Sequence, residues 1–369
     1  MWEKFGHNSL WFVDSASGID EAYNWGTFDF ASPGFAWRFV TGDTKYWVET
    51  YPGQLIIDFF IRSDRTVELQ RLNLSDAQAR KALTFARNNA LDHNKHYRYD
   101  YFLDNCSTRV RDVIDLATDG ALRSATSTVT VPRTFRSESV RLTDDLGLAQ
   151  FGITLALGRP ADAPLSLWED AFVPMRLRDM VRDVRVNVNE MPQAFVLDER
   201  VVYATKEHPE RMDLPSIWLV PLGIGLVVGG GLLATAFLGE RHKAINTAFH
   251  IEVAVYSALI GVFGAAVLLA WAFTRHDFWA NNENLLLVNP LSLWLGPLAI
   301  MSLRNERWLR PTAITAVLIA LCAAVALVLN GIAGAGQENS LAVAALVVPA
   351  HFAAAFGLWR RAVSVGGTG

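Results

Sequence analysis

The run PSIWLVPLGIGLVVGGGLLATAF, residues 215–237, divides the chain into two parts of different composition. Apolar residues dominate from this run to the C-terminus, whereas residues 1–214 have the mixed composition of a water-soluble domain. A helix needs roughly 20 mostly apolar residues to cross the hydrocarbon core of a bilayer. The sequence therefore predicts a soluble domain over residues 1–214 and a transmembrane bundle over residues 215–369.

Apolar segments close to the spanning length recur along the second part. They cover residues 215–237, 249–273, 285–303, 311–334 and 341–359. The third segment has 19 residues and contains Pro290 and Pro297. We therefore predict an all-α bundle of about five transmembrane helices.

The loops between these segments differ in charge, and Lys and Arg mark the cytoplasmic side of a membrane protein. Residues 240–243, 304–310 and 360–361 are basic, whereas loops 274–284 and 337–340 carry one Arg and three acidic residues. We expect a multi-pass protein of the inner (cytoplasmic) membrane, with residues 1–214 extracytoplasmic and the C-terminus cytoplasmic. Because the N-terminal residues MWEKFGH resemble neither a signal peptide nor an anchoring helix, we also expect an upstream signal or anchor helix that is missing from this chain.

The composition of the soluble part excludes some functions. Residues 1–214 hold more Asp and Glu than Lys and Arg, which argues against nucleic-acid binding. The chain has 2 cysteines, too few for a disulfide framework or a cysteine metal site. We expect no metal and no cofactor.

Local patterns in the soluble part predict an α+β fold. Aromatic and β-branched residues separated by turn residues predict strands over residues 7–13, 23–30, 46–51, 55–61 and 66–72. Ser75 and Gln78 form a capping box that opens a helix to about Leu91. A second helix begins close to Cys106. An antiparallel sheet followed by helices is the α+β order.

The segment YDYFLDNCSTRVRD, residues 99–112, carries the clearest chemical signal. Asp104 or Asn105 is a good N-cap, which places Cys106 in the first turn of a helix. The helix dipole and the unpaired backbone N–H groups there favour a thiolate and so a reactive cysteine. The alternative is a small buried hydrophobic residue, as most free cysteines are.

A thiol nucleophile needs a base, most often a histidine. His93 and His96 lie in a polar loop after a predicted helix, and His208 precedes a proline near the first hydrophobic run. His7 follows Gly6, and a glycine there lets another element approach the backbone closely. By elimination His7 is the predicted partner of Cys106.

Several motifs resemble the Lnb-type lipoprotein N-acyltransferase family. In chain order they are FGH (residues 5–7), YNWGTFDF (23–30), LNLS (72–75), YDYF (99–102), NCSTRVRD (105–112), FVP (172–174), NLL (284–286) and NPL (289–291). The resemblance implies a permuted papain-like (NlpC/P60-like) extracytoplasmic domain, with His7 before Cys106, followed by C-terminal transmembrane helices. Family members carry an exported leader or membrane helix before the Gly-His pair, which agrees with the upstream helix expected above.

This resemblance implies a membrane-bound, thiol-dependent acyltransferase. An acyl chain would move from the diacylglyceryl group of a lipoprotein to the α-amine of its N-terminal cysteine, through a thioester on Cys106, with His7 as base. The expected partners are the diacylated lipoprotein or a phospholipid-like acyl donor, and membrane lipid. Two alternatives remain open: a membrane-anchored extracytoplasmic cysteine peptidase or amidase, and a non-enzymatic membrane module in which Cys106 is merely buried.

Further residues are candidates for supporting or substrate-binding roles. Asn24 would orient His7 or line the site, or it is a turn residue before Gly26. Arg109 lies one turn after Cys106 and would bind a carbonyl or an anionic head group, or form a structural ion pair. The outer loop 274–284 is rich in polar and aromatic groups and is a candidate substrate-contacting loop. The supporting set is Asn24, Tyr99, Asn105, Arg109 and His276.

Overall fold

The computed structural model describes residues 2–143, 146–188, 191–206, 217–332, 336–338 and 340–366. It contains two compact units, residues 1–146 with 163–214 and residues 147–162 with 215–369. Residues 147–162 were predicted to belong to the soluble domain, but they group with the helical unit. Its prediction that the first transmembrane helix starts at Pro215 falls outside the described residues, as does His208.

The strands all belong to the first unit. They are β1 (Leu10–Asp14), β2 (Ile19–Thr27), β3 (Lys45–Tyr51), β4 (Val67–Leu72), β5 (His96–Arg98), β6 (Arg185–Val188), β7 (Met191–Ala194) and β8 (Val196–Tyr203). An antiparallel sheet has the order β1-β2-β3-β5. Strand β4 pairs with β8, and β6 pairs with β7, again antiparallel.

The helices run through both units. In chain order they are α1 (Phe35–Thr41), α2 (Gly53–Arg62), α3 (Asp76–Asn89), α4 (Cys106–Ala117), α5 (Ala121–Thr126), α6 (Phe135–Leu142), α7 (Leu148–Ala156), α8 (Leu167–Asp170), α9 (Pro174–Asp183), α10 (Leu219–Leu238), α11 (Lys243–Phe273), α12 (Ser292–Arg304), α13 (Leu309–Gly331) and α14 (Ser340–Gly366). Helices α1–α6, α8 and α9 belong to the first unit, which is therefore a mixed α/β domain followed by a helical region. The predicted α+β class is confirmed.

Helix α4 lies at the centre of the first unit. Its residues Val110, Val113, Ile114 and Ala117 are buried, as their helical spacing predicts. They belong to a hydrophobic core that also includes side chains of the sheet, of α3 and of α9, among them Trp25. The first turn of α4 is thereby fixed against the rest of the domain.

One predicted strand in the first unit is wrong, and another begins later than predicted. Residues 55–61 form helix α2, because the apolar run buries one helical face through Ile57 and leaves Leu55 and Phe59 exposed. A short apolar run does not distinguish a helix from a buried strand by periodicity. The strand predicted to begin at His7 begins at Leu10, so His7 lies in the loop before the sheet.

The predicted capping box at the start of α3 is confirmed. The backbone N–H of Gln78 donates to Ser75 Oγ at 3.3 Å, and the backbone N–H of Ser75 donates to Gln78 Oε1 at 2.9 Å. These bonds satisfy backbone donors that a helix start leaves without intrahelical partners. Helix α1 and strands β5–β8 were not predicted.

Within the described residues of the second unit, four helices are long and apolar enough to cross a membrane, judged by length and composition. They cover Leu219–Leu238, Lys243–Phe273, Glu306–Gly331 and Ser340–Val365. The third predicted segment, 285–303, departs from the prediction. It contains part of a 3₁₀ turn and then α12, whose 13 residues extend about 20 Å, less than the roughly 30 Å of a hydrocarbon core.

Side-chain amides join residues 147–162 to the rest of the second unit. Asn282 Nδ2 donates to the carbonyls of Leu155 and Ala156 at 2.8 and 2.9 Å, at the end of α7. Asn284 Nδ2 donates to the carbonyls of Thr154 and Leu155 at 3.2 and 3.1 Å. These bonds satisfy carbonyls that the helix end leaves without partners, which explains why this segment belongs to the helical unit.

Candidate active site

The side chain of Asn105 builds the start of helix α4. Its Oδ1 accepts the backbone N–H groups of Ser107 and Thr108 at 2.8 and 2.9 Å, which is an N-cap. Its Nδ2 donates to the carbonyl of Phe172 at 3.0 Å. Asn105 therefore holds Cys106 in the first helical turn and fixes that turn to the FVP segment, residues 172–174.

The loop that carries His7 is fastened to the same region. Gly6 has φ +78°, and a Cβ at this position would lie 2.8 Å from Met175 Sδ, so the close approach requires glycine. Next to His7, Asn8 Nδ2 donates to Ser107 Oγ at 3.1 Å and to the carbonyl of Pro174 at 3.3 Å. These contacts hold the His7 loop beside the start of α4.

The structure brings Cys106, His7 and Asn24 together. His7 is hydrogen-bonded to Cys106, and its Nε2 is bonded to Asn24 Oδ1. Because Nε2 faces Asn24, Nδ1 is the ring nitrogen that remains for the sulfur. Asn24 is itself held in place, since its Nδ2 donates to Thr27 Oγ1 at 3.1 Å and its Oδ1 accepts from Ser9 Oγ at 3.2 Å.

The surroundings of this pair shift the pKa of both side chains. Burial raises the pKa of Cys106, but the charge of His7 and hydrogen bonds from His7 and the backbone N–H groups of Asn8 and Ser107 outweigh it, so the net pKa is lowered. Burial lowers the pKa of His7, but the Cys106 charge and hydrogen bonds to Cys106 and Asn24 raise the net pKa. The arrangement therefore favours a thiolate beside an imidazolium, the reactive form of a cysteine.

Two tyrosines border the thiol. Gly26 has φ +96°, and a Cβ there would lie 3.5 Å from Cys106 Cβ, 3.6 Å from Tyr99 Cε2 and 3.9 Å from Tyr97 Oη. Tyr97 Oη is buried and has no hydrogen-bond partner among the residues that the structure describes. Burial first, and then the nearby Cys106, raise the pKa of Tyr97 well above its usual value, so the hydroxyl keeps its proton. A buried donor without a partner is rare in folded proteins.

Arg109 is paired with a neighbouring carboxylate. Its Nη2 lies 2.6 Å from Asp104 Oδ2, and its Nε is bonded to Asp104 Oδ1. The guanidinium also lies 4.2 Å from the centre of the Tyr97 ring. Of the two roles considered for Arg109, the geometry matches the ion pair, and through Tyr97 the pair also packs close to the site.

His276 belongs to the second unit. Its ring stacks on Trp279 with the ring centres 4.1 Å apart, in the loop that was predicted to contact substrate. That role remains a prediction. His93 and His96 are exposed on the first unit, and the histidine that contacts Cys106 is His7.

Three residues of this site were missed by the sequence analysis. Asn8 fastens the His7 loop, Gly26 leaves room beside the thiol, and Tyr97 has a hydroxyl with no hydrogen-bond partner in the described part of the chain. The alternation of tyrosines at 97, 99 and 101 just before the cysteine segment was the available signal. It could not distinguish a site residue from a packed aromatic one.

Known protein families match both the N-terminal and the C-terminal part of the chain. Residues 1–138 match the Lnb N-terminal periplasmic domain, and residues 215–359 match the Lnb transmembrane domain. The chain belongs to an Lnb-type family. No curated protein and no solved structure matches the chain.

Membership of the Lnb-type family bears on localisation and on the class of activity. The protein is a membrane protein with a periplasmic, and thus extracytoplasmic, domain. Family membership points to enzyme activity in lipoprotein processing. Within this Lnb-type chain, Cys106, His7 and Asn24 all lie in the part that matches the periplasmic domain.

Proposed function

We propose that this protein is a membrane-bound, thiol-dependent acyltransferase, which moves an acyl chain from the diacylglyceryl group of a lipoprotein to the α-amine of that lipoprotein's N-terminal cysteine. The observation that carries the proposal is the pair formed by the buried Cys106, at a helix start, and the partly buried His7, with a lowered thiol pKa and a raised imidazole pKa. This pair lies in a periplasmic domain attached to a transmembrane domain. Cys106 is the proposed nucleophile, and His7 is the proposed acid and base.

In the first half of the reaction, the Cys106 thiolate attacks the carbonyl carbon of one ester of the diacylglyceryl group. A C–S bond forms, and the ester C–O bond breaks. His7 donates its proton to the leaving alcohol oxygen, so a lyso product leaves and an acyl thioester remains on Cys106. A phospholipid-like ester is the alternative acyl donor.

In the second half, the free α-amine of the lipoprotein's N-terminal cysteine attacks the thioester carbonyl. A C–N bond forms, and the C–S bond breaks. The neutral His7 accepts the proton that the amine loses, which restores the thiolate and imidazolium pair. Asn24 positions the ring throughout, because its Oδ1 is bonded to Nε2 and leaves Nδ1 facing the sulfur.

Both halves pass through a tetrahedral intermediate with a negative oxygen, which needs hydrogen-bond donors. We assign the Tyr97 hydroxyl to this role. The hydroxyl lies close to Cys106, since a Cβ added at Gly26 would lie 3.9 Å from the hydroxyl and 3.5 Å from Cys106 Cβ. It is buried and has no partner among the described residues. Its raised pKa keeps it protonated and able to donate.

Replacing Tyr97 by Phe should lower kcat for acyl transfer about 10²-fold, because one donor to the oxyanion is lost. Alkylation of Cys106 by iodoacetamide involves no oxyanion, so its rate should stay at the wild-type value. Both rates are measured on the purified full chain. The control is Tyr23→Phe, which removes a hydroxyl that donates to Glu21 at 2.7 Å. Wild-type kcat in Tyr97→Phe would remove Tyr97 from the mechanism.

The proposal requires the first unit and loop 274–284 to lie outside the cytoplasm, as the basic loops predict. Asn282 in that loop is buried, so the exposed Asp277 is the better position for a label. In a chain lacking native cysteines, Asp277→Cys should react with an impermeant maleimide in intact cells, and Arg241→Cys and Arg307→Cys should not. Equal labelling at all three positions would contradict this orientation.

The activity itself is tested by mass spectrometry of lipoprotein N-termini from cells with and without the protein. Acyl transfer predicts a lyso-form lipoprotein with an acylated α-amine that is present only when Cys106 is intact. A peptidase or amidase with the same pair would instead shorten a peptide chain and leave the α-amine free. Unchanged N-termini in both strains would reject the proposal.

A further inference from the structure

A series of aromatic rings leads from Cys106 to the surface of the first unit. Tyr99, which borders the thiol, stacks on Tyr46 with ring centres 4.4 Å apart. Tyr46 stacks on Phe28 at 4.8 Å, and Phe28 stacks on Phe35, the first residue of α1, at 5.8 Å. The apolar path is therefore continuous from the thiol to α1.

Helix α1 presents apolar side chains to solvent. Every residue of α1 is at least partly exposed, and Trp37 is 72% exposed. Phe39 and Val40 are also exposed, and the Phe39 ring contacts Tyr101 at 6.2 Å. The exposed group around α1, called here the α1 face, consists of Phe30, Trp37, Phe39, Val40 and Tyr101.

A second exposed apolar group adjoins His7. The ring of Phe60 lies 5.9 Å from the His7 ring, and Phe59 contacts Phe60 at 5.3 Å. On the outer side of α2, Leu55 and Phe59 are 51% and 58% exposed, and this pair is called the α2 face. Each member of the proposed dyad is thus connected through aromatic rings to an exposed apolar face.

We propose that the α1 face and the α2 face insert into the interfacial layer of the bilayer, so that a lipid ester reaches Cys106 between them. Exposed apolar patches of this kind mark sites of interaction, and Trp and Tyr are enriched at membrane interfaces. Strand β8 ends at Tyr203, and the chain continues to α10, which begins at Leu219 and is long and apolar enough to cross a bilayer, so the domain is covalently attached to a candidate membrane span. Lipid is therefore the most abundant apolar partner. The inference rests on the proposed function for its acyl substrate.

The insertion can be measured on the full chain in proteoliposomes. A Cys106→Ser and Cys322→Ala background receives one new cysteine, Trp37→Cys or Phe59→Cys, which is labelled with a nitrobenzoxadiazole dye. The control is Phe85→Cys on α3, 39% exposed in a surface depression lined by Arg80 and Lys81. Lipids with a nitroxide on the acyl chain should quench the dye at positions 37 and 59 several-fold more strongly than at position 85.

Two results would overturn the inference. One is equal quenching by the nitroxide lipid at positions 37, 59 and 85. The other is a dye at 37 and 59 that is shielded from both the nitroxide lipid and aqueous iodide, which would show that protein, such as a second copy of this chain, covers these faces. Neither outcome depends on enzyme activity, so a failure of the proposed acyl transfer leaves this result intact.

A second arm connects insertion to substrate. The double variant Trp37→Ser and Phe59→Ser, with Cys106 present, should lose at least about 10-fold in transfer from a bilayer-borne donor, because remote apolar contacts bring the ester to the thiol. Phe85→Ser should retain transfer. Alkylation of Cys106 by iodoacetamide in detergent reports whether the site is intact. Full transfer in the double variant would contradict the inference. So would a loss of transfer that is matched by a loss of Cys106 alkylation, when the labelled proteins also show no lipid quenching at positions 37 and 59.

Discussion

Replacement of Cys106 by Ala or Ser should abolish acyl transfer, with a loss of at least about 10⁴-fold in kcat. Cys106 is the proposed nucleophile, because His7 is hydrogen-bonded to its sulfur and Asn24 is bonded to His7. A serine hydroxyl in the same place lacks the lowered pKa that makes the sulfur nucleophilic. The measurement is acyl transfer from a diacylated lipopeptide by purified protein.

The chain provides a matched control for this prediction. Cys322 lies in α13 of the second unit, and Cys322→Ala removes a thiol without touching the proposed site. That variant should keep wild-type activity. Equal expression and membrane insertion of the wild type, the Cys106 variants and Cys322→Ala make the comparison valid. Full activity in Cys106→Ser would rule out the covalent mechanism.

Replacement of His7 by Ala should lower acyl transfer about 10³-fold and change its pH dependence. In the wild type, the rate should rise as pH passes the lowered pKa of Cys106, because the thiolate forms. It should fall again as pH passes the raised pKa of His7, because the imidazolium that protonates the leaving group is lost. The plot of the acyl-transfer rate against pH is therefore predicted to be bell-shaped.

Without His7, burial is the dominant effect on the thiol, and burial raises the pKa of Cys106. The pH midpoint of Cys106 alkylation by iodoacetamide should then move to higher pH. Asn24→Ala should have a smaller effect in the same sense, because it removes one hydrogen bond that raises the pKa of His7. His93→Ala, an exposed histidine, is the control and should change neither profile. An unshifted alkylation midpoint in His7→Ala would show that the two groups are not coupled.

Much of the architecture could be predicted from composition and local pattern. Long apolar runs determine helices that can cross a bilayer, and the Ser75 and Asn105 caps mark helix starts by chemistry that acts within one turn. The assignment of residues 55–61 failed because an apolar run of that length suits either element, and only the packing of Ile57 decides for α2. The placement of residues 147–162 depends on amides more than a hundred positions away, which local sequence does not encode.

The residues of the candidate site also differ in how far local sequence predicts them. Cys106 could be predicted from the residues next to it, because Asn105 and the polar residues around it indicate a helix start. His7 was reached by elimination and by resemblance, since nothing local connects positions 99 residues apart. Tyr97 could not be singled out, because an unpaired hydroxyl is a property of its three-dimensional surroundings.

The central claim is that an acyl chain is held on Cys106 as a thioester. Purified full-length protein should be incubated with a diacylated lipopeptide whose α-amine is blocked, so that the second half-reaction cannot proceed, and then analysed by intact and peptide mass spectrometry. The account predicts one acyl group on the peptide that contains Cys106, released by neutral hydroxylamine and absent in Cys106→Ser. Loss of acyl chain from the donor without any adduct in the wild type, or an adduct that persists in Cys106→Ser, would contradict it.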